Sequence, residues 1–207
     1  MNVKTIIFVR HGETQWNKEG RYQGQLDSPL SQLGLIQAER VGRYLSQRPI
    51  DAVYSSDLKR AITTAECIAK HHGLTPVVDG RLREMSFGVW EGLTREEVKN
   101  TYPELWNARH FDRLTTRIPE GELPSEVVAR FQSFLTDFTS KDPHQTIVVV
   151  SHGGTLRFVL ASLLCMPLER SSCLRQSNTG VSILIFREQN KECPWEVVCL
   201  NSTSHLA

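Results

Sequence analysis

The chain has 207 residues, with 24 lysines and arginines against 23 acidic side chains, 40% hydrophobic residues and five cysteines. That length holds one folded core, with or without an insertion, and a formal charge of +1 provides no global field to recruit nucleic acid or an anionic membrane. The odd cysteine count without a CxxC pair fits reduced thiols, no apolar stretch reaches spanning length and the N-terminal run is too short for a signal-peptide core, so a cytoplasmic location is expected.

The opening "VKTIIFV" is a β-branched run that is apolar at both parities, the pattern of a strand covered on both faces. "SPLSQLGLIQAERVGRYLSQR" then places Leu33, Ile36, Val41 and Leu45 near helical spacing, with Ser28 or Ser31 available as N-cap. "IDAVYSS" reads as a second strand, and "DLKRAITTAECIAKHHG" as a helix opened by Asp57 and closed by Gly73. From about 80 to 140 the rhythm changes: "TREEVKNTYPELW" offers Thr94 and Glu97 as a capping box, and "SEVVARFQSFLTDF" is an amphipathic helix. "TIVVVSHGGTLRFVLASLLCMP" runs from strand into helix, and "GVSILIF" and "WEVVCLN" supply the last two strands. This βαβα rhythm predicts one α/β domain over 1–207, with a mostly parallel central sheet and a helical excursion beside it.

Two of these strands end in a histidine, His11 after "IIFVR" and His152 after "VVVS". Open parallel sheets bind ligands at the carboxyl ends of their strands, so residues far apart in sequence can meet there. Arg10 precedes His11, and Arg60 lies on the helix after another strand end. "HGGT" places the amide of Gly153 at an expected helix N-terminus. Two guanidiniums match the charge of a phosphate-monoester dianion and hold its oxygens by forked hydrogen bonds.

"RHGETQWN", followed by "RYQGQLDSPLSQLG", "SSDLKRAITTAE", "LREMSFGVWEG" and "VVVSHGG", resembles the histidine phosphatase superfamily, also called phosphoglycerate mutase-like. The resemblance extends from about Val3 to about Leu206 and implies a three-layer α/β/α sandwich with the helical insertion beside the active site. It implies that His11 is a nucleophile forming a transient phosphohistidine, with Arg10, Arg60 and His152 clamping the phosphoryl group. Glu84 in "LREM" matches the position that protonates the leaving alkoxide, and Asn17 and Gln23 match positions that add neutral hydrogen bonds. Thr14 and Gly24 either contact ligand or build the loop. Donors spread over the phosphoryl oxygens stabilise the transition state unaided, so no metal and no cofactor are expected.

The expected partner is a small phosphorylated metabolite, and the expected reaction is hydrolysis of a phosphomonoester. Phosphoglycerate mutase activity is the main alternative, because the same intermediate can pass its phosphoryl group to another hydroxyl. Cofactor-dependent mutases are usually longer, which favours the phosphatase. "EMSFGVWEG" resembles the branch of α-ribazole phosphatase, which acts on α-ribazole 5′-phosphate in cobamide (cobalamin) synthesis, or of broad-specificity phosphatases. The phosphoserine phosphatase branch often has a histidine where Phe87 stands, and relatives often read "GES" where Gly121–Leu123 reads "GEL". A non-catalytic phospho-ligand binder is disfavoured because His11, His152, Arg10, Arg60 and Glu84 are all present. Trp90, Trp106 and Phe111 are expected in the core or as a roof over the pocket, and His71, His72, His110 and His144 as ordinary helix-end or turn residues. Ser204 or His205 in the tail is a candidate to reach the site, and an edge strand such as "GVSILIF" is a candidate for pairing in a homodimer.

Overall fold

The computed structural model describes residues 3–207. Met1 and Asn2, on which the reading of the N-terminus partly rests, lie outside the described residues. Six strands, β1 (Val3–Arg10), β2 (Ala52–Ser55), β3 (Val77–Val78), β4 (Thr146–Ser151), β5 (Val181–Arg187) and β6 (Trp195–Ser202), form one sheet in the order β3-β2-β4-β1-β5-β6. The pairs β1–β4, β2–β4 and β2–β3 are parallel, while β5 and β6 close one side antiparallel.

The apolar runs of β1 and β4 serve both faces. Ile6, Phe8, Ile147 and Val149 pack toward α6 (Pro124–Ser140) and α7 (Gly153–Leu163), against Phe131, Phe134, Leu156 and Leu160. Ile7, Val9, Val148 and Val150 pack toward α2 (Gln32–Leu45) and α3 (Lys59–Ala69), against Val41, Leu45, Ala61 and Ile68. Strand side chains alternate with period two, so two hydrophobic cores follow from two uninterrupted runs and the three-layer α/β/α sandwich with its mostly parallel sheet is present. Short α1 (Gln15–Glu19) follows β1, and α4 (Arg95–Thr101) and α5 (Pro103–Phe111) make up the rest of the helical excursion.

Several local expectations are corrected. Ser31, not Ser28, caps α2, accepting from the Gly34 amide at 3.0 Å. Leu33 and Ile36 are about half exposed; the buried face of α2 is Gly34, Ala38, Val41, Gly42 and Leu45, with Gly42 set against the α3 backbone at Cys67 and Gly34 against the backbone of Glu13. Asp57 does not cap α3, whose N-cap is Leu58; its carboxylate holds Arg83 instead. The capping box of Thr94 and Glu97 is present, as is the left-handed Gly73. At α6, Leu123 offers no hydroxyl, and Glu126 alone accepts from its amide, at 2.8 Å. β5 lies between β1 and β6 and has no free edge; β6 is the outer strand.

Candidate active site

β1 and β4 pair so that Arg10 stands opposite Ser151, which places His11 and His152 side by side where the two strands end. Their ring centroids are 5.1 Å apart. Nδ1 of His11 lies 2.7 Å from the Gly12 carbonyl oxygen. A carbonyl only accepts, so this nitrogen carries the proton and Nε2 keeps its lone pair. Burial, reinforced by the positive charges of Arg60 and Arg10, holds the His11 pKa well below that of free imidazole, against the smaller opposing pull of the Gly12 carbonyl. The ring is therefore held neutral and oriented, with the Nε2 lone pair uncommitted. Close backbone packing fixes the loop behind it: a Cβ on Gly12 would meet the Gly34 carbonyl oxygen at 2.5 Å.

His152 is also fully buried, and its pKa is pushed well below the usual value by burial, then by the charges of Arg60, His11 and further arginines. Its Nε2 is 2.6 Å from the Ser56 hydroxyl, while Nδ1 is buried with no hydrogen-bond partner. Three more buried polar atoms lack partners here: Nε of Arg10, Nε of Arg60 and Oε1 of Gln23. Unsatisfied buried donors are costly, and three of these four belong to cationic or imidazole groups, the set an oxyanion would satisfy.

Arg10 donates from Nη1 to the Gln176 carbonyl at 2.8 Å; its pKa is pulled down to about 10, chiefly by burial, with Glu84 opposing and Arg157 and Arg60 adding like-charge repulsion. Arg60, 1% exposed, grips the loop that carries Gln23 and Gly24 by donating to the carbonyls of Gly24 and Leu26, both at 2.6 Å. Gly24 has φ +53°, and a Cβ there would overlap the Glu91 carboxylate. Arg10, His11, Asn17, Gln23, Gly24, Arg60 and Glu84 line one small cavity of about 150 Å³. Thr14 lies outside that lining and caps α1, its hydroxyl accepting from the Asn17 amide at 3.0 Å while Asn17 Oδ1 accepts from the Thr14 amide at 3.1 Å.

Glu84 sits at the N-terminus of α7. Its carboxylate accepts from the amides of Gly154 (3.0 Å), Thr155 (2.8 Å) and Met85 (2.9 Å) and from the Thr155 hydroxyl (3.0 Å). The two glycines of "HGGT" make room for this arrangement. A Cβ on Gly153 would lie 3.1 Å from Arg10 Nε, and one on Gly154 would lie 2.8 Å from Glu84 Oε1. Gly153 thus backs the guanidinium through its missing side chain and opens α7.

The sequence model of the histidine phosphatase superfamily (branch 1) matches residues 6–202. The chain belongs to the histidine phosphatase superfamily. It is 34% identical over 201 residues to phosphoserine phosphatase 1 of Hydrogenobacter thermophilus, covering 97% of this chain and 93% of that one. A Proteus mirabilis protein named probable phosphoglycerate mutase GpmB is 36% identical over 193 residues, with 92% and 86% covered. Among solved structures, the α-ribazole phosphatase of Shigella flexneri superposes with a TM-score of 0.87 at 28% identity, with 96% of each chain covered. This histidine phosphatase superfamily member is therefore an enzyme related to phosphatases and mutases.

Beside the small cavity this superfamily member has a second of about 410 Å³, and Tyr22, Glu84 and Phe87 border both. Trp90 and Trp106 line the larger cleft, whereas Phe111 is 95% exposed and covers nothing. Four contributors escaped sequence reasoning. Ser56 engages His152, and Arg21 and Tyr22 of "RYQGQ" line the small cavity. Asn178, in "QSNTG", donates to the His11 carbonyl at 3.1 Å and to Asn17 Oδ1 at 3.2 Å. Nothing about a polar turn residue in isolation marks that bridge. His205 stops one layer short: Nε2 is 3.1 Å from the Thr179 hydroxyl, and the Thr179 amide donates to the Arg10 carbonyl. Among the described residues no cluster of three or more His, Cys, Asp or Glu could hold a metal ion, and no helix is long and apolar enough to cross a membrane.

Proposed function

We propose that the chain is a metal-independent phosphomonoesterase that hydrolyses small phosphorylated metabolites through a phosphohistidine on His11. The observation that carries this reading is the neutral His11 ring, its Nδ1 proton committed to the Gly12 carbonyl, in a cavity lined by Arg10 and Arg60 and beside His152 with its unpartnered Nδ1. His11 Nε2 forms the N–P bond as the P–O ester bond breaks, and the departing alkoxide takes a proton from the Glu84 carboxyl. Water then loses a proton to Glu84 and attacks phosphorus; the N–P bond breaks and the electron pair returns to Nε2. Arg10, Arg60 and His152 hold the oxygens on which charge is spread throughout.

The aromatic lining of the adjoining cleft supports a substrate whose alcohol carries a ring, for which α-ribazole 5′-phosphate is the representative. Phosphoserine and 3-phosphoglycerate are the competing substrates, the latter with transfer back to a hydroxyl in place of hydrolysis. The test is turnover of p-nitrophenyl phosphate in EDTA, followed by ³¹P spectroscopy of acid-labile, base-stable phosphoenzyme and a panel of these three metabolites. Release of inorganic phosphate, abolished in His11→Ala, is expected. A strict metal requirement, or isomerisation of phosphoglycerate without net hydrolysis, would refute the proposal.

A further inference from the structure

The turn over residues 176–180 contributes no side chain to the lining of the phosphate cavity, yet it holds the strand end that carries Arg10 and His11. The Gln176 carbonyl accepts from Arg10 Nη1 at 2.8 Å, and the Gly180 carbonyl accepts from the Arg10 amide at 3.4 Å. The Thr179 amide donates to the Arg10 carbonyl at 2.9 Å and to the His11 carbonyl at 3.4 Å, and Asn178 Nδ2 donates to the His11 carbonyl at 3.1 Å. Thr179 makes these contacts with φ +53°, in the left-handed region that a β-branched side chain enters only under constraint.

The constraint comes from the C-terminal end of the chain. Asn201 accepts from the Ser177 amide at 2.7 Å through Oδ1 and donates from Nδ2 to the Ser177 hydroxyl at 3.2 Å, and a Cβ on Gly180 would overlap that Oδ1. Beyond β6 a short 3₁₀ turn, Ser204–Leu206, is tied to α2: Arg40 donates to the Leu206 carbonyl at 2.8 Å, and the ring centroids of Tyr44 and His205 lie 5.5 Å apart. From there His205 Nε2 reaches the fully buried Thr179 hydroxyl at 3.1 Å, and that hydroxyl also lies 2.8 Å from the Asn178 carbonyl oxygen. A carbonyl only accepts, so the single hydroxyl proton goes to Asn178 and His205 donates from Nε2. His205 Nδ1 is then the bare nitrogen; it is buried with no partner, and burial followed by the charge of Arg40 holds the ring's pKa below its usual value. The ring is a neutral donor in one tautomer, aimed at one oxygen.

We infer that Thr179 and His205 are positioning residues for phosphoryl transfer: through this one hydrogen bond the C-terminal segment holds the 176–180 turn in its strained form and so sets the backbone from which Arg10 and His11 project. The inference rests on the proposed reaction for the role of His11 as nucleophile. Loss of the bond leaves Arg60, His152 and Gln23 in place, so a bound phosphate ion should be little affected. What suffers is the alignment of His11 Nε2 with phosphorus, which counts only as the N–P bond forms. A contact that merely braced the tail would lower the melting temperature without separating these two effects.

The experiment is calorimetric binding of orthovanadate and of inorganic phosphate to the full-length protein. Vanadate becomes five-coordinate only with a nucleophile in line, so its affinity relative to phosphate reports the alignment of His11. His205→Phe keeps a ring beside Tyr44 and loses the donor; it should weaken vanadate binding about 5–10-fold, the equivalent of one buried hydrogen bond, and phosphate binding less than about twofold. His205→Gln, which offers an amide N–H close to where Nε2 stands, should recover most of the loss. Thr179→Gly removes the hydroxyl at a φ that glycine adopts freely; it is the second variant, should the first misfold, and should show the same selective loss. Because both side chains act through one contact, the double variant should lose no more than about twofold beyond either single one. Equal weakening of both ions, vanadate binding that neither substitution changes, a His205→Gln protein as defective as His205→Phe, or losses that add fully in the double variant would each overturn the inference. Vanadate that binds the unaltered protein no more tightly than phosphate would instead overturn the proposed reaction.

Discussion

Glu84→Gln perturbs the carboxylate that accepts from the first amides of α7 and that the proposed reaction uses as proton donor, and the two effects can be separated. In the best amide orientation the carbonyl replaces Oε1, which accepts from Met85, Thr155 and the Thr155 hydroxyl, so three bonds survive. The new NH₂ then faces the Gly154 amide, whose bond of 3.0 Å is lost and replaced by two opposed donors. An unsatisfied buried donor costs about 1–3 kcal/mol, and removing the charge from a helix N-terminus about 0.3–1 kcal/mol more. A loss of about 2 kcal/mol lowers the melting temperature of a chain this size by roughly 4–8 °C. Catalysis should suffer independently: a lost general acid costs about 10²–10⁴-fold with alkyl esters and much less with p-nitrophenyl phosphate, whose leaving group needs no proton. Thermal denaturation and paired kcat/KM values test both. An unchanged melting temperature would refute the seating of the carboxylate on α7, and equal slowing of alkyl and aryl esters would refute its role as proton donor.

The buried imidazoles of His11 and His152 have folded-state pKa values well below the unfolded value near 6.5, so the unfolded chain binds more protons under mildly acid conditions. Stability should be fully present above about pH 6.5 and fall below it by up to about 1.4 kcal/mol per pH unit for each ring, measurable by urea denaturation from pH 7 to 5; a flat profile would contradict neutral burial. Over the same range kcat/KM should not follow the titration of a free histidine. Ser56→Ala removes the hydroxyl 2.6 Å from His152 Nε2 and should reduce kcat/KM about 3–10-fold with a shifted pH profile, the equivalent of one buried hydrogen bond. Gly154→Ala brings a methyl group to 2.8 Å from Glu84 Oε1 and should reproduce the leaving-group dependence of Glu84→Gln; activity that falls equally for all esters would show that the carboxylate was not displaced.

The long apolar runs made the sheet and its ligand end legible. In "VKTIIFV" and "TIVVVS" nearly every side chain is apolar, a pattern that only a strand buried on both faces accommodates, and a histidine immediately after each run can point only to the strand ends. Arg10, His11, Asn17, Gln23, Gly24, Arg60 and Glu84 were readable because ordered motifs carry them, and they share one cavity. What stayed hidden depends on partners distant in sequence. Asp57 looked like a cap because it precedes a helix, yet Arg83 competes for it. Two-residue β3 is too short for any period, and the spacing of Leu33 cannot tell that α2 turns Gly42 to α3 and Gly34 to the Glu13 loop. Arg95, Arg109, Arg113 and Arg157 lie on separate segments, and only packing brings them to the larger cleft.

The position of β4 has a consequence for biosynthesis. It is the last strand but two to be made, yet it inserts between β1 and β2, which do not touch each other. A nascent chain that ends before Thr146 therefore has β1 and β2 with no mutual ladder, and the His11 loop lacks the neighbour against which it is set. Ligand affinity should arise in a single step as that central segment emerges and zips into place, which would make phosphate protection a sharp reporter of vectorial assembly on the ribosome.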